Sequence, residues 1–470
     1  MKKFLLTSVL ISMAASSALA AEPSAKEISN NDYLSLYQGM EVLGMSANGE
    51  YVAGFTSEIV GRSFMANTQT GEAVCFTDMQ VDDDGNQLTG VSNNGIAVGF
   101  DASHAVKCHL DGSFEQLESP GFGFAMARNI SSDGSTIVGS VSKGAWTELM
   151  AACWDADGKM QLLPYPSSAT VGTFKINGCE AAYANEDGSI IVGWLVANPN
   201  TYPLIFWERQ PDGTYQYVNV LTDLYEPLHQ NVWHEDKSYP DGGYYTFEKG
   251  PNPWMRMQPQ GLTNDGKYIV LVLQDNRSNA LNPPYQLGFY NVETGELTAE
   301  DYDPRSILAD GINITGVSND LTVVGINALS VTAGVIPFVK KYGEEAVPVL
   351  SLCSNSSIMQ EAEYWFMQGM PVIASGISAD GRYISGYYTE VRELKGPDGQ
   401  YSNYLVYPAF LIDMGEEGGD TPGIDAVESI GADELAPAEY FTLDGVKVLN
   451  PDKGIFIEKR GSQTRKVVKN

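Results

Sequence analysis

The chain reads as an all-β protein: a seven-bladed β-propeller of four-stranded antiparallel blades, followed by a small C-terminal β-rich unit. Three observations predict it. A short cassette built around a hairpin turn occurs seven times, a looser second hairpin follows each copy, and the region from residue 31 to residue 414 allots roughly 55 residues to each pair.

The cassettes are VLGMSANGEYVAG (Val42 to Gly54), LTGVSNNGIAVG (Leu88 to Gly99), ARNISSDGSTIVG (Ala127 to Gly139), AAYANEDGSIIVG (Ala181 to Gly193), QGLTNDGKYIV (Gln260 to Val270), ITGVSNDLTVVG (Ile314 to Gly325) and ASGISADGRYISG (Ala374 to Gly386). Each carries Asn-Gly, Asp-Gly or a substitute between two apolar runs. That pattern predicts a hairpin with a tight primed turn, because such a turn needs positive φ where Asn and Gly tolerate it.

The second hairpin places an apolar run, a turn and a return strand in SFMANTQTGEAVCF (Ser63 to Phe76), AVKCHLDGSFEQL (Ala105 to Leu117), ACWDADGKMQLL (Ala152 to Leu163), PLIFWERQPDGTYQYV (Pro203 to Val218), QLGFYNVETGELT (Gln286 to Thr298) and PFVKKYGEEAVPVL (Pro337 to Leu350). Two hairpins make four strands, which is one blade. The seventh copy, PAFLID (Pro408 to Asp413), stops before its return strand. A strand from the other end of the chain is expected to complete it, and Tyr33 to Tyr37 has the alternating character required.

The repeats resemble the extracellular bacterial family whose blades carry V-x-x-S-x-D-G-x-x-I-V-G, the HAF repeats, and more loosely the YVTN-type propellers. Ser46, Ser92, Ser131, Ser318 and Ser378 match the motif serine, whereas Ala184 and Thr263 stand in its place; Asp133, Asp187, Asp265 and Asp380 match the acid before Gly. The motif reports packing rather than a site: Ser and Asp bond their own turn backbone, and the closing Gly permits close strand approach. The Asp box of sialidase propellers differs, since here Asp and Gly are adjacent and no Trp follows.

Lys2 and Lys3, the apolar run Phe4 to Met13 and the small residues Ala18-Leu19-Ala20 form the three-part pattern of a secretory signal peptide over residues 1–20. The expected location is therefore extracellular or outer cell surface, with the periplasm as the other exported compartment. No later stretch has the ~18 apolar residues of a membrane helix. A polar linker, residues 415–423, leads to a unit at 424–470. Its Tyr440, Leu443, Gly445, Gly454, Ile455, Ile457, Lys466, Val467 and Val468 resemble the C-terminal sorting domain of the type IX secretion pathway, which implies contact with export machinery; a strand-rich cap is the other reading.

Charge narrows the partners. With 59 acidic and 28 basic residues the net charge is -31, a field that repels nucleic acid and anionic membranes. The five cysteines, Cys75, Cys108, Cys153, Cys179 and Cys353, are widely spaced and odd in number, and four of them read as small apolar core residues. No cofactor motif, P-loop, G-x-S-x-G elbow or metal spacing stands out. Asp82-Asp83-Asp84-Gly85 reads as a solvated turn, and His229, His234 and Glu235 are a weak metal signal.

Loop length is the remaining asymmetry. The hairpin turns are tight, whereas Tyr165 to Gly178, Thr222 to Met257, Asp301 to Gly311, Ser351 to Met370 and Tyr388 to Tyr404 are long connections expected at the opposite mouth of the ring. Function gathers on such loops. Trp233, Tyr244, Tyr245, Trp254 and Trp365 are the candidate ligand-binding residues, suited to stacking on sugars or anchoring a protein; a small core of the loop's own is the structural alternative. The expected function is a non-catalytic binding module for an extracellular glycan or protein ligand. The competing reading is a polysaccharide hydrolase or lyase with its acids in the long loops.

Overall fold

The computed structural model describes residues 23–28, 40–56, 62–79, 86–144, 148–167, 170–171, 174–197, 203–218, 231–235, 243–247, 254–275, 285–301, 303, 305–308, 311–328, 334–395 and 400–415, and in the tail 439–441, 447–448, 454–460 and 463–469. Seven antiparallel blades form a propeller ring. Their inner strands are Glu41–Met45, Asn86–Val91, Phe124–Ile130, Phe174–Ala184, Trp254–Leu262, Asn313–Val317 and Val372–Ile377. In each blade the cassette supplies the inner and second strands. Blade four carries an additional short strand, Thr170–Val171, beside its inner strand.

One oxygen organises every cassette turn. The side chain three residues before the turn's Gly position accepts the first amide of the second strand: Ser46 from Tyr51, Ser92 from Ile96, Ser131 from Thr136, Thr263 from Tyr268, Ser318 from Thr322 and Ser378 from Tyr383, at 2.8 to 3.1 Å. In blade four Asn185 accepts from Ile190 at 2.9 Å, so Asn185, not Ala184, occupies the motif-serine position. A side-chain amide carbonyl reaches as far as a hydroxyl. These oxygens are buried, and each hydroxyl also donates to the following Asn or Asp, as Ser131 does to Asp133 at 2.7 Å.

The turns are not of the primed type. Only the Gly has positive φ, for example Gly49 at 73° and Gly134 at 80°; the preceding Asn or Asp does not. The Gly amide returns to the carbonyl three residues back, Gly49 to Ser46 at 2.9 Å, as in a type I turn closed by a left-handed residue. Leu321 takes the same place in blade six at φ 62°, a conformation costing a non-Gly residue about 1–2 kcal/mol.

The inner strands of blades four and five slip once near their starts, between Ile176 and Gly178 and between Trp254 and Arg256, and every inner strand bulges at one shared site. The pairing slips between Val42 and Gly44, Leu88 and Gly90, Ala127 and Asn129, Ala181 and Tyr183, Pro259 and Gly261, Ile314 and Gly316, and Ala374 and Gly376. The unpaired residues are therefore Leu43, Thr89, Arg128, Ala182, Gln260, Thr315 and Ser375. Opposite the bulge sits the closing Gly of the cassette in six blades, and Leu271 in blade five. A Cβ on Gly99 would lie 1.8 Å from the Gln87 carbonyl oxygen, and one on Gly193 would lie 1.8 Å from that of Glu180.

Apolar residues pack between blades. Ala53 and Met65 of blade one join Ala97 and Val106 of blade two; Trp154 and Trp207 are fully buried, each indole N–H donating to a loop carbonyl, Glu118 at 2.7 Å and Pro164 at 2.6 Å. Burial pushes the thiols of Cys153 and Cys179 up to about 12; all five cysteines are free, and all but Cys75 are buried.

The N-terminal end does complete blade seven, but with a different segment. Ser24–Glu27 pairs with Ala409–Asp413, Ala25 opposite Ile412, as the outermost strand. Tyr33 to Tyr37 lies outside the described residues, as do residues 1–22 and Asp82 to Gly85. The chain divides into two compact units, Met1–Glu417 and Gly418–Asn470. In the second, Lys447–Val448, Glu439–Phe441, Gly454–Arg460 and Gln463–Lys469 form a sheet in that order.

Candidate functional site

The seven inner strands surround a channel of about 400 Å³. All seven bulged residues line it. Four of them reach the next blade: Thr89 donates to the Ala127 carbonyl at 3.2 Å, Arg128 pairs with Glu180 at 2.7 Å, Gln260 accepts the Ile314 amide at 2.6 Å, and Thr315 donates to the Ala374 carbonyl at 2.6 Å. The bulge thus aims a side chain sideways, which a regular strand could not do. Glu180 also accepts the Trp194 indole N–H at 3.2 Å, and the Arg128 guanidinium lies 5.4 Å from that ring's centre. The charge of Arg128 is therefore answered within the wall. The Tyr183 hydroxyl beside it is pushed up to about 12 by burial, against the opposing pull of Arg128.

At the cassette-turn end a circuit of hydrogen bonds rims the channel. Asn48 N–H reaches Asn93 Oδ1 at 2.9 Å, Asn93 N–H the Ser132 carbonyl at 2.8 Å, Asp133 N–H that of Glu186 at 3.0 Å, and Glu186 N–H that of Asn264 at 2.7 Å. Asp265 N–H reaches Asn319 Oδ1 at 3.1 Å, Asn319 N–H the Ala379 carbonyl at 2.8 Å, and Ala379 N–H that of Ala47 at 2.7 Å. Every blade junction is bridged. Asn48, Asn93, Asn264 and Asn319 border the mouth, and Ala47, Asn264 and Ala379 line both mouth and channel.

The long connections leave the opposite ends of the strands. They include a hairpin, Asn231–Glu235 with Gly243–Phe247, an 11-residue helix α1, Ser357–Met367, and a second hairpin, Glu390–Lys395 with Tyr401–Val406. Trp233 pairs in register with Tyr245, and Tyr244 with His234, while Trp254 begins the inner strand of blade five at the end away from its turn. The side chains of Trp233, Tyr244, Tyr245 and Trp254 lie outside the described residues. Trp365 is half-buried against the core between blades six and seven, its indole N–H donating to Glu361 at 3.1 Å and its ring 5.3 Å from Tyr364. Tyr364, Met367 and Tyr401 are 55%, 74% and 66% exposed, so the insertions present apolar surface to solvent.

Where α1 meets blade seven, Lys26, Glu27, Ser357, Tyr388 and Arg392 line a second cavity of about 240 Å³. Burial pushes the neighbouring Glu390 carboxyl above the usual carboxylate range, with its ion-pair partner Arg392 pulling the other way. Among the described residues, no group of three or more His, Cys, Asp or Glu side chains could hold a metal. Sequence reasoning singled out neither the channel nor its bulges. Their only trace is the residue three before the turn serine or its substitute, which changes from Leu43 to Thr89, Arg128, Ala182, Gln260, Thr315 and Ser375 along the repeats.

No protein-family model matches the chain, and no curated protein does. Solved structures resemble it in fold. TolB from Acinetobacter baumannii is 13% identical over 63% of this chain, with a TM-score of 0.36, and the chain spans 62% of that structure's length. The β-propeller domain of the trilobed protease from Pyrococcus furiosus is 9% identical over 78% of this chain and 94% of its own, with a TM-score of 0.38. A puromycin hydrolase structure is 11% identical over 90% of this chain and 58% of its own, with a TM-score of 0.44. Among the described residues no helix is long and apolar enough to cross a membrane.

Proposed function

We propose that the protein is an exported, non-catalytic binding propeller that holds an extracellular glycan or protein ligand on its insertion face. One observation carries this reading: the inserted hairpins and helix all leave the blade ends opposite the cassette turns, and Tyr364, Met367 and Tyr401 are exposed among them. A rigid ring that gathers its long loops on one side, with three exposed large apolar side chains among them, is built for recognition. The charge of -31 directs that recognition away from polyanions.

The HAF-like motif and the signal-peptide pattern support export, and the sorting-domain-like tail supports passage through a dedicated secretion route. A glycan array and a pull-down with extracellular proteins identify the ligand. Trp233→Ala or Trp254→Ala then weakens it by a hot-spot amount, of order 2 kcal/mol, with the thermal midpoint unchanged. Binding indifferent to both changes, and to Tyr364→Ala, overturns the assignment of the face.

A further inference from the structure

The channel has the properties of a second site, apart from the insertion face. Its volume of about 400 Å³ falls within the about 300–1,000 Å³ of small-molecule pockets. Of the polar bulge residues, Ser375 alone reaches no neighbour: the residue lines the channel, and its hydroxyl, buried in the wall, has no hydrogen-bond partner. An unpaired buried hydroxyl costs stability that a ligand or ordered water recovers. Asn129 and Tyr183 add an amide and a phenol to the same wall, and Tyr387 adds a second aromatic ring whose hydroxyl is already given to Glu41 at 3.2 Å.

Charge decides the ligand class. Among the described residues that line the channel, the single charged side chain is Arg128, and Glu180 neutralises it. A charged ligand would enter without a counter-charge, at a desolvation cost. A neutral molecule rich in hydroxyls would match the donor-and-acceptor groups of Ser375, Asn129 and Tyr183, between rings suited to a sugar face. The mouth offers four asparagine amides at the entrance, and its two carboxylates are already engaged, Asp320 with Lys341 at 3.2 Å and Asp380 with the Ser378 hydroxyl and the Arg382 amide. We infer that the channel binds a neutral mono- or disaccharide unit, admitted from the cassette-turn face.

The test uses the purified full chain, with calorimetric titration of glucose, galactose, N-acetylglucosamine and their β-linked disaccharides, and glucuronate and glucosamine as charged counterparts. The expected result is saturable binding of at least one neutral sugar, weakened tenfold or more by Ser375→Ala and by Tyr183→Phe, and unaffected by Trp233→Ala. Ser375→Ala should at the same time raise the thermal midpoint of the sugar-free protein, which loss of a structural hydroxyl would not do. Binding of no neutral sugar, or glucuronate binding as tightly as glucose, overturns the inference. So does sugar binding lost in Trp233→Ala but retained in both channel variants, an outcome that supports the insertion face as the site.

Discussion

The amide of Ala379 in blade seven donates to the carbonyl of Ala47 in blade one across 2.7 Å. With this bond the circuit of inter-blade links closes on the channel rim, independently of the strand that closes the ring at its outer edge. Ala379 is the second residue of its turn, where proline is favoured, so Ala379→Pro removes the N–H with little disturbance of the turn. The expected loss is about 1 kcal/mol, the net worth of one hydrogen bond. Ala47→Pro, at the equivalent place, serves as the control: blade one bridges to blade two through the Asn48 amide, so its thermal midpoint should stay near wild type.

Gly99 and Gly71 separate two kinds of glycine requirement. A Cβ on Gly99 meets the Gln87 backbone oxygen at 1.8 Å, whereas one on Gly71 meets nothing within 4 Å and is opposed only by a φ of 75°. Gly71→Ala should cost about 1–2 kcal/mol. Gly99→Ala should exceed the about 1–3 kcal/mol of an overpacked core, because a strand backbone must move. Equal midpoints for the two variants would refute the steric account.

Alkaline pH should unfold the ring. Cys153, Cys179, Tyr183 and Tyr215 are all raised to about 12, by burial first in each case, from ordinary values of 9 and 10. A group whose folded pKa is raised stabilises fully below its unfolded pKa and loses that contribution as pH climbs toward the folded one. Midpoints should therefore hold up to about pH 9 and fall between pH 9 and 12. In the native state at pH 8, a thiol reagent should modify Cys75 before the four buried thiols; simultaneous modification of all five would contradict their burial.

Removing residues 418–470 should leave the thermal midpoint of the remaining chain nearly unchanged, since that unit is compact by itself. If the tail is an export signal, the same deletion shifts the protein between cell fractions. Loss of soluble folded protein would make the tail structural instead.

How much of this was legible depended on how local the cause was. The cassette hairpins, the blade count and the role of Ser131 or Ser378 follow from contacts within a few residues, so the sequence carries them openly. The turn type was misread because Asp133-Gly134 fits two turn families, and only the unexceptional φ of Asp133 separates them. The closing strand was misplaced because Ser24–Glu27 has no alternation of its own; it is extended because Ala409–Asp413 offers an unpaired edge. The bulges were invisible for a related reason. One unpaired residue inside Leu88 to Val91 looks the same on the page as a paired one, and its direction is fixed by the neighbouring blade.

The strand at Ser24–Glu27 also sets a timetable. It leaves the ribosome before any other part of the ring, yet its partner, Ala409–Asp413, is among the last segments to be made. Blades one to six can each assemble from consecutive hairpins, while this first segment waits beside a growing, incomplete ring. A long apolar strand kept waiting would invite pairing with another copy of the chain. Four residues reading Ser-Ala-Lys-Glu are a poor template for that. The plainness that hid this strand from sequence reading thus keeps the early end of the chain from finding the wrong partner.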